Sequence, residues 1–189
     1  MTADGNYEEI ETGEVPKEFF EGLGRLVFEF GRLDGALGSL LSVQVQPGTG
    51  YVAGLLSQGE STDWLRNRCV SVLESEGPFS TQETEALLTL LRKAKGLISL
   101  RNRYVHTYWD FFHPKSASMH GYQERRHSEA YEYFVTVAEV TKTAEDARRL
   151  TEDIEAITER VTLPKHERAR ALARAAAILR DAVRKSAKP

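Results

Sequence analysis

Between positions 16 and 45 the apolar residues Phe19, Phe20, Leu23, Leu26, Val27, Phe30, Leu33, Leu37, Leu40 and Leu41 recur in steps of one, three and four. That is the wide face of an amphipathic helix, opened by Pro16 and running to about Val45. Gly22, Gly24, Gly31, Gly35 and Gly38 interrupt it, each at a cost of about 1 kcal/mol against alanine. So many glycines fit either close approach to another helix across a dimer seam, or a weak helix held only by tertiary packing. Gln46-Pro47-Gly48 ends the pattern, and 51–56 fits a short helical turn. Ser61 or Thr62 caps a helix over about 62–75, with Trp64, Leu65, Cys69, Val70 and Leu73 inward. Gly77-Pro78 breaks it. Ser80-Thr81-Gln82-Glu83 is then a capping box, and the spacing of Leu87, Leu90, Ala94, Leu97, Ile98, Val105, Tyr108 and Phe112 predicts one long helix to about Phe112.

After His113-Pro114 the period changes to two. Tyr122–Arg126 and Tyr131, Tyr133, Val135 and Val137 predict a β-hairpin over about 118–138, with its turn near 127–129. Helical spacing returns over about 143–162, and Pro164 starts a last helix over about 165–186. The expected fold is mainly α: a bundle of about five to six helices with a small hairpin insertion. The expected organisation is an acidic, loose lead over 1–16, a helical domain over 17–163, and a basic helix over 164–189 packed on or appended to it.

Composition changes this picture little. The chain has 189 residues, 41% hydrophobic and 28% charged, which is ordinary for a globular domain with a real core. A net charge of −3 carries no overall basic signature for nucleic acid. The charge is unevenly placed, however. Residues 1–21 are acidic, whereas the last predicted helix carries Arg168, Arg170, Arg174 and further lysines and arginines. Such a helix can track phosphates, bind an acidic partner, or be solvated. The single cysteine, Cys69, fits a reducing compartment. There is no apolar run near the roughly 18 residues of a membrane span, and the N-terminus is not that of a signal peptide, so a cytoplasmic location is expected. The five histidines show no metal-ligand spacing, and no phosphate-binding glycine loop is present. No metal or cofactor is expected.

The chemistry concentrates in Arg101-Asn102-Arg103-Tyr104-Val105-His106-Thr107-Tyr108. Arg101 falls on the apolar stripe, three after Ile98 and four before Val105, so it must meet an anion, carbonyls or a wet cleft. Asn102 lies one helical turn before His106 and shares its face. Five residues turn a helix by roughly 140°, so Arg101 and His106 do not stack directly, but both are long enough to converge on a groove beside the stripe. Imidazole exchanges a proton near neutral pH, and a planar guanidinium grips a phosphate. A second arginine–histidine spacing, Arg160 to His166, spans Pro164 and reads as a helix boundary.

These residues resemble the R-x4-6-H motif of the HEPN superfamily (higher eukaryotes and prokaryotes nucleotide-binding). They also resemble the longer R-x4-H-x-Y form of HEPN toxins in toxin–antitoxin pairs. Arg101, Asn102, His106 and Tyr108 are the matched positions. The resemblance implies a long motif-bearing helix in an all-helical bundle that forms a homodimer, with two such pairs lining a shared cleft. It further implies a metal-independent endoribonuclease, a toxin or defence protein, with Arg101, Asn102 and His106 catalytic and RNA cut by its own 2′-hydroxyl to a 2′,3′-cyclic phosphate. Tyr108 matches the tyrosine that a partner nucleotidyltransferase modifies, and an antitoxin or nucleotidyltransferase partner is implied. Arg103, Arg168, Arg170 and Arg174 are candidates for RNA or partner contact. The chain departs from the minimal toxin in its length, the hairpin and the C-terminal helices. The competing reading is a non-catalytic HEPN-like dimer that binds a nucleotide, RNA or protein, with Arg101 and His106 a structural pair at a helix–helix contact.

Overall fold

The computed structural model describes residues 15–45, 59–74, 78–113, 117–124 and 130–162. Within them the chain is mainly helical, with four helices and one small antiparallel sheet. Helix α1 spans Lys17–Val45, α2 Thr62–Leu73, α3 Thr81–His106 and α4 Val137–Thr162, and strands β1 (Tyr108–His113), β2 (Ser118–Glu124) and β3 (Ala130–Thr136) lie between α3 and α4. That is fewer helices than the five to six expected. The turn at 51–56, the basic helix over 165–186 and most of the acidic lead fall outside the described residues.

The helix starts follow local chemistry. The Ser61 hydroxyl accepts from the Trp64 amide at 3.2 Å and caps α2. At α3 the expected capping box closes from both sides: the Ser80 amide donates to Glu83 Oε2 at 2.9 Å, and the Glu83 amide donates to Ser80 Oγ at 3.4 Å. Glu83 is also paired with Arg160 from α4. A second capping box, unforeseen in the sequence pattern, starts α4 six residues before the expected Thr143. Here the Thr136 amide donates to Glu139 Oε2 at 2.8 Å, and the Glu139 amide donates to Thr136 Oγ1 at 3.2 Å. Val137 therefore belongs to α4, and the hairpin ends at Thr136.

The core lies between α1 and α4, closed by α2 and α3. Phe19, Leu26, Phe30, Leu33, Leu37 and Leu40 of α1 meet Val140, Ala147, Ile154 and Ile157 of α4, with Leu65 and Cys69 from α2 and Leu87 and Leu91 from α3. Gly22 marks the closest approach, since a Cβ there would lie 3.3 Å from Val140 Cγ1. Across the same interface Glu145 accepts from Arg25 at 3.2 Å and also holds Arg148 and Arg149. The Arg148 hydrogen bond, foremost, holds the Glu145 carboxyl well below its ordinary range, at about 2. Cys69 is packing: its buried thiol donates to the Leu37 carbonyl at 3.3 Å, and burial pushes its pKa up to about 12.

Helix α3 stops at His106 rather than continuing to about Phe112. Thr107 is already extended, with φ −84° and ψ 135°. From Thr107 to Phe112 the chain is β-branched or aromatic at every position but Asp110, composition that favours a pleated, half-buried strand. A bulge at Asp110 explains the helix-like spacing. Trp109 pairs with Gly121 and Phe112 with Met119, so the irregularity puts residues three apart on one sheet face. That face packs on the core, where Met119 and Val135 are buried and Trp109, Phe112 and Tyr133 are partly buried. The hairpin expected over 118–138 is therefore two strands of a three-stranded sheet ordered β1-β2-β3. Its turn lies outside the described residues.

Trp109 joins the sheet to the helices. Its ring meets Phe19 of α1 edge-on at 5.1 Å, and its indole N–H donates to the Tyr104 carbonyl of α3 at 2.9 Å. Gly121 leaves room for it. A Cβ at that position would come within 2.5 Å of Thr107 Cγ2 and 2.6 Å of Trp109 Cε3. Gly121→Ala is expected to lower stability by about 1–3 kcal/mol, the usual cost of overpacking, whereas Gly96→Ala, facing open space on α3, is expected to leave stability unchanged or raise it by up to about 1 kcal/mol. Urea unfolding of the two variants checks both signs.

Candidate functional site

The last turns of α3 gather the motif. Arg101 is half-buried, while Asn102 and His106 are exposed. Arg101 Nη1 donates to Asn102 Oδ1 at 3.0 Å and lies 3.4 Å from His106 Nε2. The five-residue spacing that keeps the two side chains from stacking does not stop the guanidinium from reaching the ring. A guanidinium has only donors, so a hydrogen bond between them requires Nε2 to be the acceptor, with the ring neutral and its proton on Nδ1. Arg103 lies in the last turn, where the helix carboxyl end favours a cation.

Arg101 also faces inward, into a cleft of about 310 Å³. Helix α1 contributes Asp34; the segment entering α2 contributes Glu60, Ser61, Thr62 and Asp63; and α3 contributes Ile98, Arg101 and Asn102. Among the described residues, Asp34 Oδ1 and Arg101 Nε are buried without a hydrogen-bond partner. The Asp34 pKa is raised above its ordinary value, chiefly by burial; a hydrogen bond with Thr62 and the Arg101 charge act in the opposite direction. The cleft thus combines one guanidinium with three carboxylates, and a phosphate entering from the Asp34 side would meet repulsion. The exposed Asn102 and His106 side of the guanidinium carries the amide and imidazole instead.

Asp34 is the site residue that the motif does not disclose. The signal was its position, four after Phe30 and seven before Leu41, on the edge of the α1 apolar stripe. Arg101 breaks the stripe of α3 in the same manner, and two opposite charges in facing apolar stripes are candidates to meet.

The other predicted residues separate. Tyr108 is not on the motif helix but on β1, where it is 62% exposed and lies 5.1 Å from the Tyr122 ring. It is not a core residue of the Val105–Phe112 stripe. Arg103 is exposed and stacks over the Tyr133 ring at 4.9 Å, which ties helix end to sheet by a cation–π contact. Arg168, Arg170 and Arg174 lie outside the described residues. Among the described residues no group of three or more His, Cys, Asp or Glu could hold a metal ion, and no helix is long and apolar enough to cross a membrane. Compared with models of protein families, with curated proteins and with solved structures, the chain matches none.

The raised Asp34 pKa sets a sign for pH. A carboxyl that holds its proton more tightly when folded adds stability below its unfolded pKa, about 3.9, and that stability is lost as pH rises through the higher folded value. Asparagine has no such titration. The stability difference between wild type and Asp34→Asn is expected to shift against the wild type as pH rises from about 4 to 7, read by urea denaturation at each pH. A pH-independent difference would show that burial in the cleft does not govern the Asp34 titration.

Proposed function

We propose that the protein is a metal-independent endoribonuclease of the HEPN type, a toxin or defence enzyme acting as a homodimer. The observation that carries this reading is the position of Arg101 Nη1, within hydrogen-bond reach of both Asn102 Oδ1 and His106 Nε2. The RNA supplies its own nucleophile. Neutral His106 accepts the proton of a 2′-hydroxyl as the O2′–phosphorus bond forms. Arg101 offsets the charge gathering on the phosphate oxygens, and Asn102 orients the guanidinium through the 3.0 Å contact. The bond to the 5′-oxygen breaks, and the imidazolium returns a proton to it. The products are a 2′,3′-cyclic phosphate and a 5′-hydroxyl.

The dimer rests on α1. Gly24, Gly31 and Gly35 meet nothing within 4 Å, and Phe20, Val27 and Phe28 beside them are 59%, 47% and 65% exposed. The stripe is apolar and uncharged, suited to packing against its own copy, and it ends beside Asp34 at the Arg101 cleft. A micromolar solution is expected to scatter light as a dimer, with Phe28→Glu as a monomer; a monomeric wild type would remove the composite cleft.

A second reading is favoured by the three carboxylates around Arg101. If the guanidinium is neutralised within the fold, the protein is a non-catalytic HEPN-like module that binds a nucleotide, RNA or a protein. One set of assays separates the two. The nuclease reading expects cleavage that persists in EDTA, stops with a 2′-deoxy substitution at the cut, and falls by roughly two or more orders of magnitude in His106→Ala and in Arg101→Ala, both still folded. A wild-type protein inert on single-stranded, structured and transfer RNA, together with an unstable Arg101→Ala, leaves only the binding module.

A further inference from the structure

The outer face of the sheet carries a row of aromatic rings. The register puts Tyr108 opposite Tyr122 and His120 opposite Phe134, all on the face away from the core. The two pairs have ring centroids 5.1 Å apart and planes tilted by 47° and 50°, and Tyr108, Tyr122 and Phe134 are 62%, 41% and 58% exposed. Tyr122 and His120 are alternate residues of β2, so the two pairs are separated by about 7 Å along the strand. Tyr108, Tyr122 and Phe134 together leave an aromatic surface open to solvent.

We propose that this face is a base-stacking platform that holds single-stranded RNA next to Arg101 and His106. RNA as the ligand rests on the nuclease reading; the platform itself rests on the sheet. Three observations select the occupant. The described side chains of the face include no aliphatic residue: they are flat rings, several with polar tips, together with hydroxyls and Glu132, and flat π faces stack on bases without regard to sequence. The platform continues into the motif, because Tyr108 follows His106 by two residues and cannot be more than about 7 Å from it along the backbone. The helix end that leads into β1 carries a guanidinium, since Arg101 Nη1 lies 3.4 Å from His106 Nε2, two residues before Tyr108; Arg103 is turned to the other sheet face, over Tyr133. Glu132, exposed opposite Tyr122, is the opposing charge and weakens the attraction for phosphate.

A strand lying over Tyr108, Tyr122 and Phe134 would have its bases splayed and unstacked from one another. That conformation frees the 2′-hydroxyl to line up behind its phosphate, which a base-paired A-form helix does not allow. The platform therefore selects single strands and presents them at the helix end where the motif residues meet.

The test separates binding from cutting by using a short single strand whose 2′-hydroxyls are all replaced by methoxy groups, so that it cannot be cleaved. Fluorescence anisotropy is expected to show binding by the wild type. Tyr108→Ala and Phe134→Ala should each bind roughly tenfold more weakly. Tyr108→Phe, which keeps the ring, should bind as the wild type does, and Glu132→Gln should bind more tightly. The same sequence as a duplex should bind more weakly than the single strand. Circular dichroism and sedimentation should be unchanged in all variants. Alanine variants that bind like the wild type overturn the platform, as do alanine variants whose assembly mass falls, which would make the face a protein interface. If the rings govern binding but natural RNA stays intact, the platform stands and the nuclease reading fails. If natural RNA is cut equally by wild type and by the Tyr108→Ala Phe134→Ala double variant, the nuclease stands and the platform fails. A wild type that binds no RNA removes both.

Discussion

The position of the motif depends on one side chain, Trp109. It fixes where α3 becomes β1, because its indole N–H holds the Tyr104 carbonyl at 2.9 Å while its ring lies against Phe19. A helix end leaves its last carbonyls without intrahelical partners, and Trp109 reaches back five residues to satisfy one of them. Thr107 does the same for the Arg103 carbonyl. These contacts let the chain leave the helix directly after His106. Gly121 must be small for the indole to sit there, so the sheet, the helix end and the first turn of α1 are mutually constrained. The consequence for the site is that His106 stands at a free helix end rather than in the middle of a longer helix.

Arg101 has two sides with different chemistry. Toward Asp34 it lies in a partly buried, carboxylate-lined cleft; toward Asn102 and His106 it is beside an amide and an imidazole in solvent. An isolated guanidinium on an apolar stripe would be expensive to keep, and the Asp34 charge offsets part of that cost. Among the described residues, Asp34 Oδ1 and Arg101 Nε both lack a hydrogen-bond partner, so these two atoms do not close an ion pair, and Nη1 of the arginine is directed to Asn102 and His106. The nuclease reading and the structural-pair reading thus differ in how much of the Arg101 charge Asp34 consumes.

Much of this was legible in the sequence because it is local. Pro16, Ser61 and the Ser80–Glu83 box start helices where their chemistry says they should, and the stepped apolar residues of α1 and α3 point to the core. The failure at Phe112 has a specific cause. The bulge at Asp110 places Trp109 and Phe112 on one sheet face with the spacing of a helical step, so a periodicity argument cannot tell the strand from the helix there. The β-branched and aromatic run from Thr107 was the better signal. At Thr136 the alternation through Val135 and Val137 competed with a capping box, and the box won because it satisfies two helix-end donors at once. Asp34 was beyond reach for a different reason: it shares a cleft with Arg101 across 67 positions of chain, a tertiary arrangement visible in the sequence only as two charges interrupting two apolar stripes.

The early end of α3 also changes what the resemblance to R-x4-H-x-Y can mean. On a continuous helix, Tyr108 would lie two residues past His106, rotated by about 200° to the far side. On a strand that begins after Thr107, side chains instead alternate between the two faces: Trp109 takes the core, and Tyr108 takes the solvent face beside Tyr122. The same sequence spacing therefore gives Tyr108 an exposed hydroxyl and an open ring. Exposure leaves the Tyr108 hydroxyl in solvent beside Tyr122, while the indole one residue on is committed to Phe19 and the Tyr104 carbonyl, so the strand alternation, not the helix, decides which of the two rings is open.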